Sequence, residues 1–351
     1  LLPGFGSPLG SEGDEAMRTT RPIAIYYEHP HWFQPLFAEL SRRAIPHVKL
    51  DAARHAFDPA GPDEGYALLF NRMSPSAWNR GRGDAIFSTR DFVAHVESRG
   101  IPVFNGSRAF GFETSKALQV SLLHRLRLPV PRTRVVNHPS LLGDAARNLR
   151  FPLVVKPNVG GSGAGIVRFD DLPELVAAVI SGRVGGGLDG TILLQEYHAP
   201  AGSSIVRVET LEGRYLYGIR IHLEAGAGFD LCPADVCKTV GGDDLVSAAC
   251  PVGAAKAGLT VEAYEPPPEV IDQVERIAQA ADIDVGGIEY LTSVRDGHLY
   301  YYDINALSNF VADPLRVVGF DPTERLVDAL VARAGIDEAE RPVAAVGGVR
   351  P

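Results

Sequence analysis

A chain of 351 residues with 45% apolar and 22% charged side chains has material for about two or three compact units with a substantial core. A net charge of −9 argues against a nucleic-acid backbone as a general partner, yet leaves room for a local basic pocket that takes a phosphorylated small molecule. No apolar run reaches the roughly 18–20 residues that span a bilayer, and no basic-then-apolar leader precedes a cleavage site, so no membrane association and a cytoplasmic location are expected.

In chain order, residues 1–20 are rich in Gly, Pro and Ser and lack periodicity, which reads as a leader that is disordered or artificial in origin. "PIAIYYEHP" (Pro22 to Pro30) has a buried-strand pattern, and the amphipathic helix that follows places Leu36, Phe37 and Leu40 on one face before a second strand. "YALLFNRM" (Tyr66 to Met73) is a further strand, and "DFVAHVESRGIPVFNG" reads as helix, glycine stop and strand. Strands alternating with helices imply a parallel, doubly wound sheet ending near Asn105, a Rossmann-like α/β unit over residues 21–105.

From there "ETSKALQVSLLHRLRLPVPRT" sets Leu118, Leu122, Leu123 and Leu126 at helical spacing, with Thr114 or Ser115 as N-cap. A strand at "LPVPRTRVV", a short helix near Asp144 to Leu149, the strand "FPLVVKP", a glycine loop, the helix "LPELVAAVIS" and the strand "TILLQEYH" follow. "SSIVRVETLEGRYLYGIRIHL" reads as a hairpin. The next segment holds Cys232, Cys237 and Cys250, which find no second Cys/His pair for a tetrahedral zinc site and are expected as free thiols. A helix at "PPEVIDQVERIAQAADI", paired strands at "VGGIEYLTSV" and "HLYYYDINALSNF" around Asp296 and Gly297, and the helix "DPTERLVDALVARAG" complete an α+β region, with a Pro/Ala/Gly-rich tail over 336–351.

Two places carry chemistry. Lys156 ends a strand and precedes the loop "NVGGSGAG", whose Gly160, Gly161, Gly163 and Gly165 let backbone amides close on phosphate oxygens while Ser162 offers a hydroxyl. The lysine comes before the glycines, so this is not a P-loop, and no glycine-rich turn follows the first strand as a dinucleotide fingerprint requires. Far along the chain, Glu289, Asp303 and Asn305 put oxygen donors on two adjacent strands; Asp303 and Asn305, two apart, share a face. Such a set suits Mg²⁺, which takes a few protein oxygens and completes its shell with water and phosphate. The plain alternatives are a solvated strand carboxylate at Asp303, a turn residue at Asn305 and a surface charge at Lys116.

The ordered set of Lys116 in "ETSKALQ", "PVPRT", "LVVKP" with its glycine loop, "LLQEYH", "VRV…YGIR" and "GIEYL…YYYDIN" resembles the ATP-grasp superfamily. Within it, the chain is most similar to carboxylate-amine ligases of the type that includes ribosomal-protein glutamate ligases and glutathione synthetases. The resemblance covers roughly Asn105 to Leu330 and implies an ATP-grasp domain over residues 106–335, with a lid lobe at about 130–195 and a C-terminal lobe at about 196–335.

It further implies that Lys116 and Lys156 contact ATP phosphates beneath a glycine lid. Gln195, Glu196 and Tyr197, with His198 just beyond, would meet adenine; Arg220 would stand at the transferred phosphoryl group; and Glu289, Asp303 and Asn305 would hold one or two Mg²⁺ ions, with Mn²⁺ as an alternative. Asp303 stands where glutamate is usual, "SSIVRV" lacks the acid often found before that strand, and Lys238 occupies a segment where many glutamate ligases carry arginine. The implied reaction joins a small-molecule or peptide carboxylate to an amine through an acyl phosphate, with homo-oligomerisation common in such enzymes. A kinase-like transfer to a hydroxyl and a non-catalytic ATP-binding module are the alternatives. His29, His198 and His222 are candidates for proton handling and equally for structural roles.

Overall fold

The computed structural model describes residues 21–29, 31–161, 163–223 and 260–336. The leader, Ser162, the three cysteines, Lys238 and the tail from residue 337 lie outside the described residues.

Short β-rich runs in the N-terminal part build β1 (Ile23–Tyr27), β2 (His47–Asp51), β3 (Leu68–Arg72) and β4 (Val103–Phe104), a parallel sheet in the order β2-β1-β3-β4. Its faces are covered by different helices, as a parallel sheet requires. Ile23 and Ile25 pack with Leu36, Phe37 and Leu40 of α1 (Gln34–Arg42). Ala24 and Tyr26 pack with Phe92, Val93 and Val96 of α2 (Asp84–Ser98).

The short α3 (Ser107–Glu113) leads into α4 (Lys116–Arg125), which is capped by Ser115, whose Oγ accepts from the Leu118 amide at 3.3 Å. Periodicity alone puts Leu118 inside, but it is 48% exposed, and Gln119 is buried on that side instead. A buried amide is tolerated only when satisfied. Here Gln119 Nε2 donates to Phe112 O (2.8 Å) and Ile304 O (2.7 Å), and its Oε1 accepts from the Ile304 amide at 3.2 Å.

Next come β5 (Thr133–Val136), α5 (Leu142–Ala145), β6 (Leu153–Pro157), β7 (Val167–Phe169), α6 (Leu172–Ile180) and β8 (Ile192–Glu196). The strands form an antiparallel sheet in the order β5-β8-β6-β7. One face meets Leu142 of α5 and Leu175 and Ala178 of α6, burying Leu153, Val155 and Leu194.

The C-terminal part holds β9 (Ser204–Leu211), β10 (Arg214–His222), β11 (Thr260–Ala263), α7 (Pro268–Ala281), β12 (Val285–Thr292), β13 (Leu299–Asn305), α8 (Pro314–Val317) and α9 (Pro322–Ala334). Its antiparallel sheet runs β11-β10-β9-β12-β13. Val270, Val274 and Ile277 of α7 cover Val206, Val208 and Ile288 on one face. Leu326, Val327 and Leu330 of α9 join the cluster that contains Phe37 and Phe70 of the first sheet. Each such fully buried aliphatic side chain is worth about 1.5–3 kcal/mol, so this shared core ties the two parts together.

Candidate active site

A cavity of about 460 Å³ opens between the three sheets. Two lysines reach it from segments 40 residues apart because Asn158, two residues past Lys156, clamps the start of α4. Its Oδ1 accepts from the Ala117 amide (2.9 Å) and the Ser115 hydroxyl (3.2 Å), its carbonyl accepts from the Lys116 amide (3.3 Å), and its Nδ2 donates to Asp189 (2.6 Å). No local pattern in the chain signals this role, since the partners of Asn158 lie on other segments.

Lys116 Nζ donates to Asp303 Oδ1. Burial works against that ammonium, but Asp303 holds the proton on it and lifts it above the usual lysine range. Lys156 is 8% exposed and makes no ion pair among the described residues. Burial and the neighbouring Lys116 charge push its ammonium down to about 8.

Opposite the lysines, the strand registers form a small grid. Arg207 on β9 faces Glu289 on β12, which faces Asp303 on β13; one step along, Glu209 faces Gly287, which faces Asn305. Directly opposed residues on neighbouring strands project to the same face. Arg207 Nη1 donates to Glu289 Oε1 at 2.9 Å and its Nε to Glu209 Oε1 at 2.6 Å. Gly287 makes this arrangement fit: a Cβ there would lie 2.5 Å from Arg207 Nη2 and 2.6 Å from its Cζ and Nε.

Burial disfavours charge on Asp303, yet Lys116 outweighs it and holds the carboxyl below its ordinary range. Glu289 goes the other way, pushed up by burial against the pull of Arg207. Among the described residues no three His, Cys, Asp or Glu converge as a metal centre. Glu289 and Asp303, each with one oxygen engaged by Arg207 or Lys116, and the Asn305 amide are the oxygen donors on this wall to which a hard cation that completes its shell with phosphate and water would turn.

The glycine loop reaches the cavity through Gly160, Gly161 and Gly163, while Gly165, at φ +73°, stands outside it. A Cβ on Gly161 would sit 3.0 Å from Ser76 Cβ, so the loop rests on the N-terminal part of the chain. Gln195, Glu196, Tyr197 and His198 all line the cavity. Several of their polar groups are already engaged. Gln195 Nε2 donates to Thr133 Oγ1 (2.9 Å), Glu196 Oε1 accepts from the Arg150 amide (2.9 Å), and the Glu196 and Tyr197 amides donate to Arg132 O and Pro152 O (both 2.9 Å). His198 Nδ1 sits 2.9 Å from Ser293 Oγ, and its ring packs on Tyr300. Burial lowers its pKa, in keeping with a structural ring.

Arg220 is the departure from the sequence expectation: it is not among the residues around the cavity. It pairs in register with Val206, not Arg207, and so projects from the opposite face, over the Tyr264 ring at 4.0 Å and 3.6 Å from Glu262. Arg207 lines the cavity on the face that Arg220 turns away from, and Arg168 lines it as well. Alternation in "SIVRVETL" separates Arg207 and Glu209 from Val206 and Val208, but one strand's alternation does not say which side is inward. Sequence reasoning also passes over Glu113, which lines the cavity, accepts from the Ala306 and Leu307 amides, and is pushed up to about 7 by burial.

No family profile matches the chain. Over 129 residues it is 31% identical to the "Probable alpha-L-glutamate ligase" of Teredinibacter turnerae, covering 36% of this chain and 42% of that protein. Over 147 residues it is 31% identical to the "D-alanine--D-alanine ligase" of Stutzerimonas stutzeri, covering 40% of this chain and 45% of that protein. The matches thus span under half the length of these relatives. In structure it is similar to the ATP-grasp ligase PsnB, solved with a minimal precursor, Mg and ADP, at a TM-score of 0.60 and 20% identity over 89% of this chain and 97% of PsnB. The chain therefore has the ATP-grasp fold.

Proposed function

We propose that this chain is an ATP-dependent carboxylate-amine ligase that forms an amide or peptide bond and releases ADP and phosphate. The observation that carries this reading is Lys156: a buried lysine without a carboxylate partner among the described residues, beside a second lysine and facing Glu289, Asp303 and Asn305 across one cavity. A buried ammonium of that kind calls for an anion. A triphosphate would supply charge for both lysines, and the carboxylate-amide set opposite would hold one or two Mg²⁺ ions, or Mn²⁺. The metal, when bound, neutralises charge on the phosphate oxygens.

The protein's own residues then do the rest. Lys116 and Lys156 orient the phosphates, the loop at Gly160 to Gly163 covers them, and Gln195 to His198 border the purine. Arg207 takes the place foreseen for Arg220, next to the developing acyl phosphate, where a preorganised cation stabilises charge that grows in the transition state. The attacking amine displaces phosphate and leaves the C–N bond. The names of the matched relatives put amino acids and peptides first in any substrate panel.

The test is an ADP-release screen of carboxylates against amines with Mg²⁺, read by mass spectrometry, with hydroxylamine added to trap an acyl phosphate as its hydroxamate. A phosphorylated alcohol gives no hydroxamate and would mark a kinase; nucleotide binding without ADP from any pair would mark a binding module. Asp303→Ala with undiminished ATP turnover would remove the metal assignment.

A further inference from the structure

Glu209 so far does no more than hold Arg207, yet one of its carboxylate oxygens is buried and bare. It lines the cavity and is 1% exposed. Its Oε1 takes the Arg207 Nε at 2.6 Å, while its Oε2 is buried with no hydrogen-bond partner among the described residues. Native structures rarely leave a buried carboxylate oxygen bare, because it forfeits its hydration for nothing. Arg72 lies within electrostatic reach, with its Nη2 on the Ser308 carbonyl and Asn309 Oδ1 and its buried Nε and Nη1 also without partners among the described residues, yet it makes no hydrogen bond to Glu209.

Position gives the bare oxygen a use. Glu209 sits one register step from the row Arg207, Glu289 and Asp303, and across bare Gly287 from Asn305. Diagonal neighbours in a sheet lie about 7–8 Å apart, the reach of one small group standing between them. A carboxylate accepts hydrogen bonds and donates none, so what fits Oε2 is an N–H donor, and a cationic one fits best.

We infer that Glu209 receives the primary amine of the acceptor substrate and takes its proton, an inference that rests on the ligase reading. The substrate ammonium passes one proton to Oε2. Its nitrogen lone pair then attacks the acyl carbon and forms the C–N bond. The bond from that carbon to the phosphate oxygen breaks, the oxygen keeps the electron pair, and the departing phosphate carries off the second proton shed by the new amide nitrogen.

The experiment is a competition at pH 7.5 between hydroxylamine, which is already unprotonated there, and the productive amine of the screen, using full-length wild type, Glu209→Gln and Glu209→Asp. Glu209→Gln keeps an acceptor for Arg207 and removes the proton acceptor. The ratio of amide to hydroxamate is expected to fall about 100-fold or more in Glu209→Gln, the scale of a lost general base, and to recover in part in Glu209→Asp. A ratio within about twofold of wild type, or both products falling together, overturns the inference and leaves the ligase reading standing. Should Glu209→Gln fail to fold, Glu209→Met, which also removes the proton acceptor, takes its place: the same fall is expected, and a ratio within about twofold of wild type overturns the inference. Wild type that yields no hydroxamate with any carboxylate removes the ligase reading and this inference with it.

Discussion

Gly287→Ala tests whether Arg207 lies across β12 as described. The backbone at Gly287 is ordinary extended strand, so an alanine there brings no backbone strain of its own; its whole effect comes from the new methyl. That carbon would stand 2.5–2.6 Å from three guanidinium atoms, against a comfortable separation of about 3.5–4.0 Å, so the group must retreat by about 1 Å. Such a shift breaks the 2.9 Å contact with Glu289 and the 2.6 Å contact with Glu209.

Overpacking of this kind costs about 1–3 kcal/mol, and loosened charged hydrogen bonds put the expected value near the top of that range. Urea unfolding should show the loss as a lower midpoint at unchanged slope. Arg207→Ala alone should cost about 3–5 kcal/mol, because it strands two buried carboxylates. In that background Gly287→Ala has nothing to strike and should cost under about 0.5 kcal/mol, so the cycle should return a coupling of about 2–3 kcal/mol. Additive costs would refute the placement of Arg207 and, with it, the assignment of this arginine to the site.

Three further outcomes follow from the same geometry. Arg220→Met, on the far face of the sheet, should cost under about 1 kcal/mol and leave ADP release within about twofold of wild type; a 100-fold loss would return Arg220 to the site. Lys156, held at about 8 by burial, loses its charge above that pH, so ATP should bind progressively more weakly from pH 8 upward, by up to about tenfold per unit, and Lys156→Gln should flatten the curve; titration calorimetry from pH 7 to 9.5 reads both. His29 is kept neutral down to about 3, first by burial and then by the Arg80 charge, and its ring stacks on Trp32 at 4.2 Å. Its folded pKa lies below the unfolded value of 6.5, so its contribution to stability is present above pH 6.5 and is lost as pH falls toward 3. At pH 5.5 the loss is on the order of 1 kcal/mol, and His29→Phe should abolish that component of the denaturation profile; an identical pH dependence in the variant would refute it.

The order of elements, the strand that ends at Lys156, the glycine loop after it and the pair of strands bearing Glu289, Asp303 and Asn305 were legible from the chain, because each rests on neighbours a few residues apart: alternation, helical spacing, turn-forming glycines. Gln119, Glu113 and Asn158 were not legible, since each is fixed by backbone groups more distant in sequence, at Ile304, at Ala306 and at the start of α4. The arginine shows the boundary most clearly. Both Arg207 and Arg220 sit on alternating strands, and alternation sorts residues into two faces without naming the inner one. Only the pairing of β9 with β12 and β10, which opposes Arg207 to Glu289 and Arg220 to Val206, decided which of the two meets the cavity. Period is a property of a single strand; direction is set by what the neighbouring strands and helices pack against it.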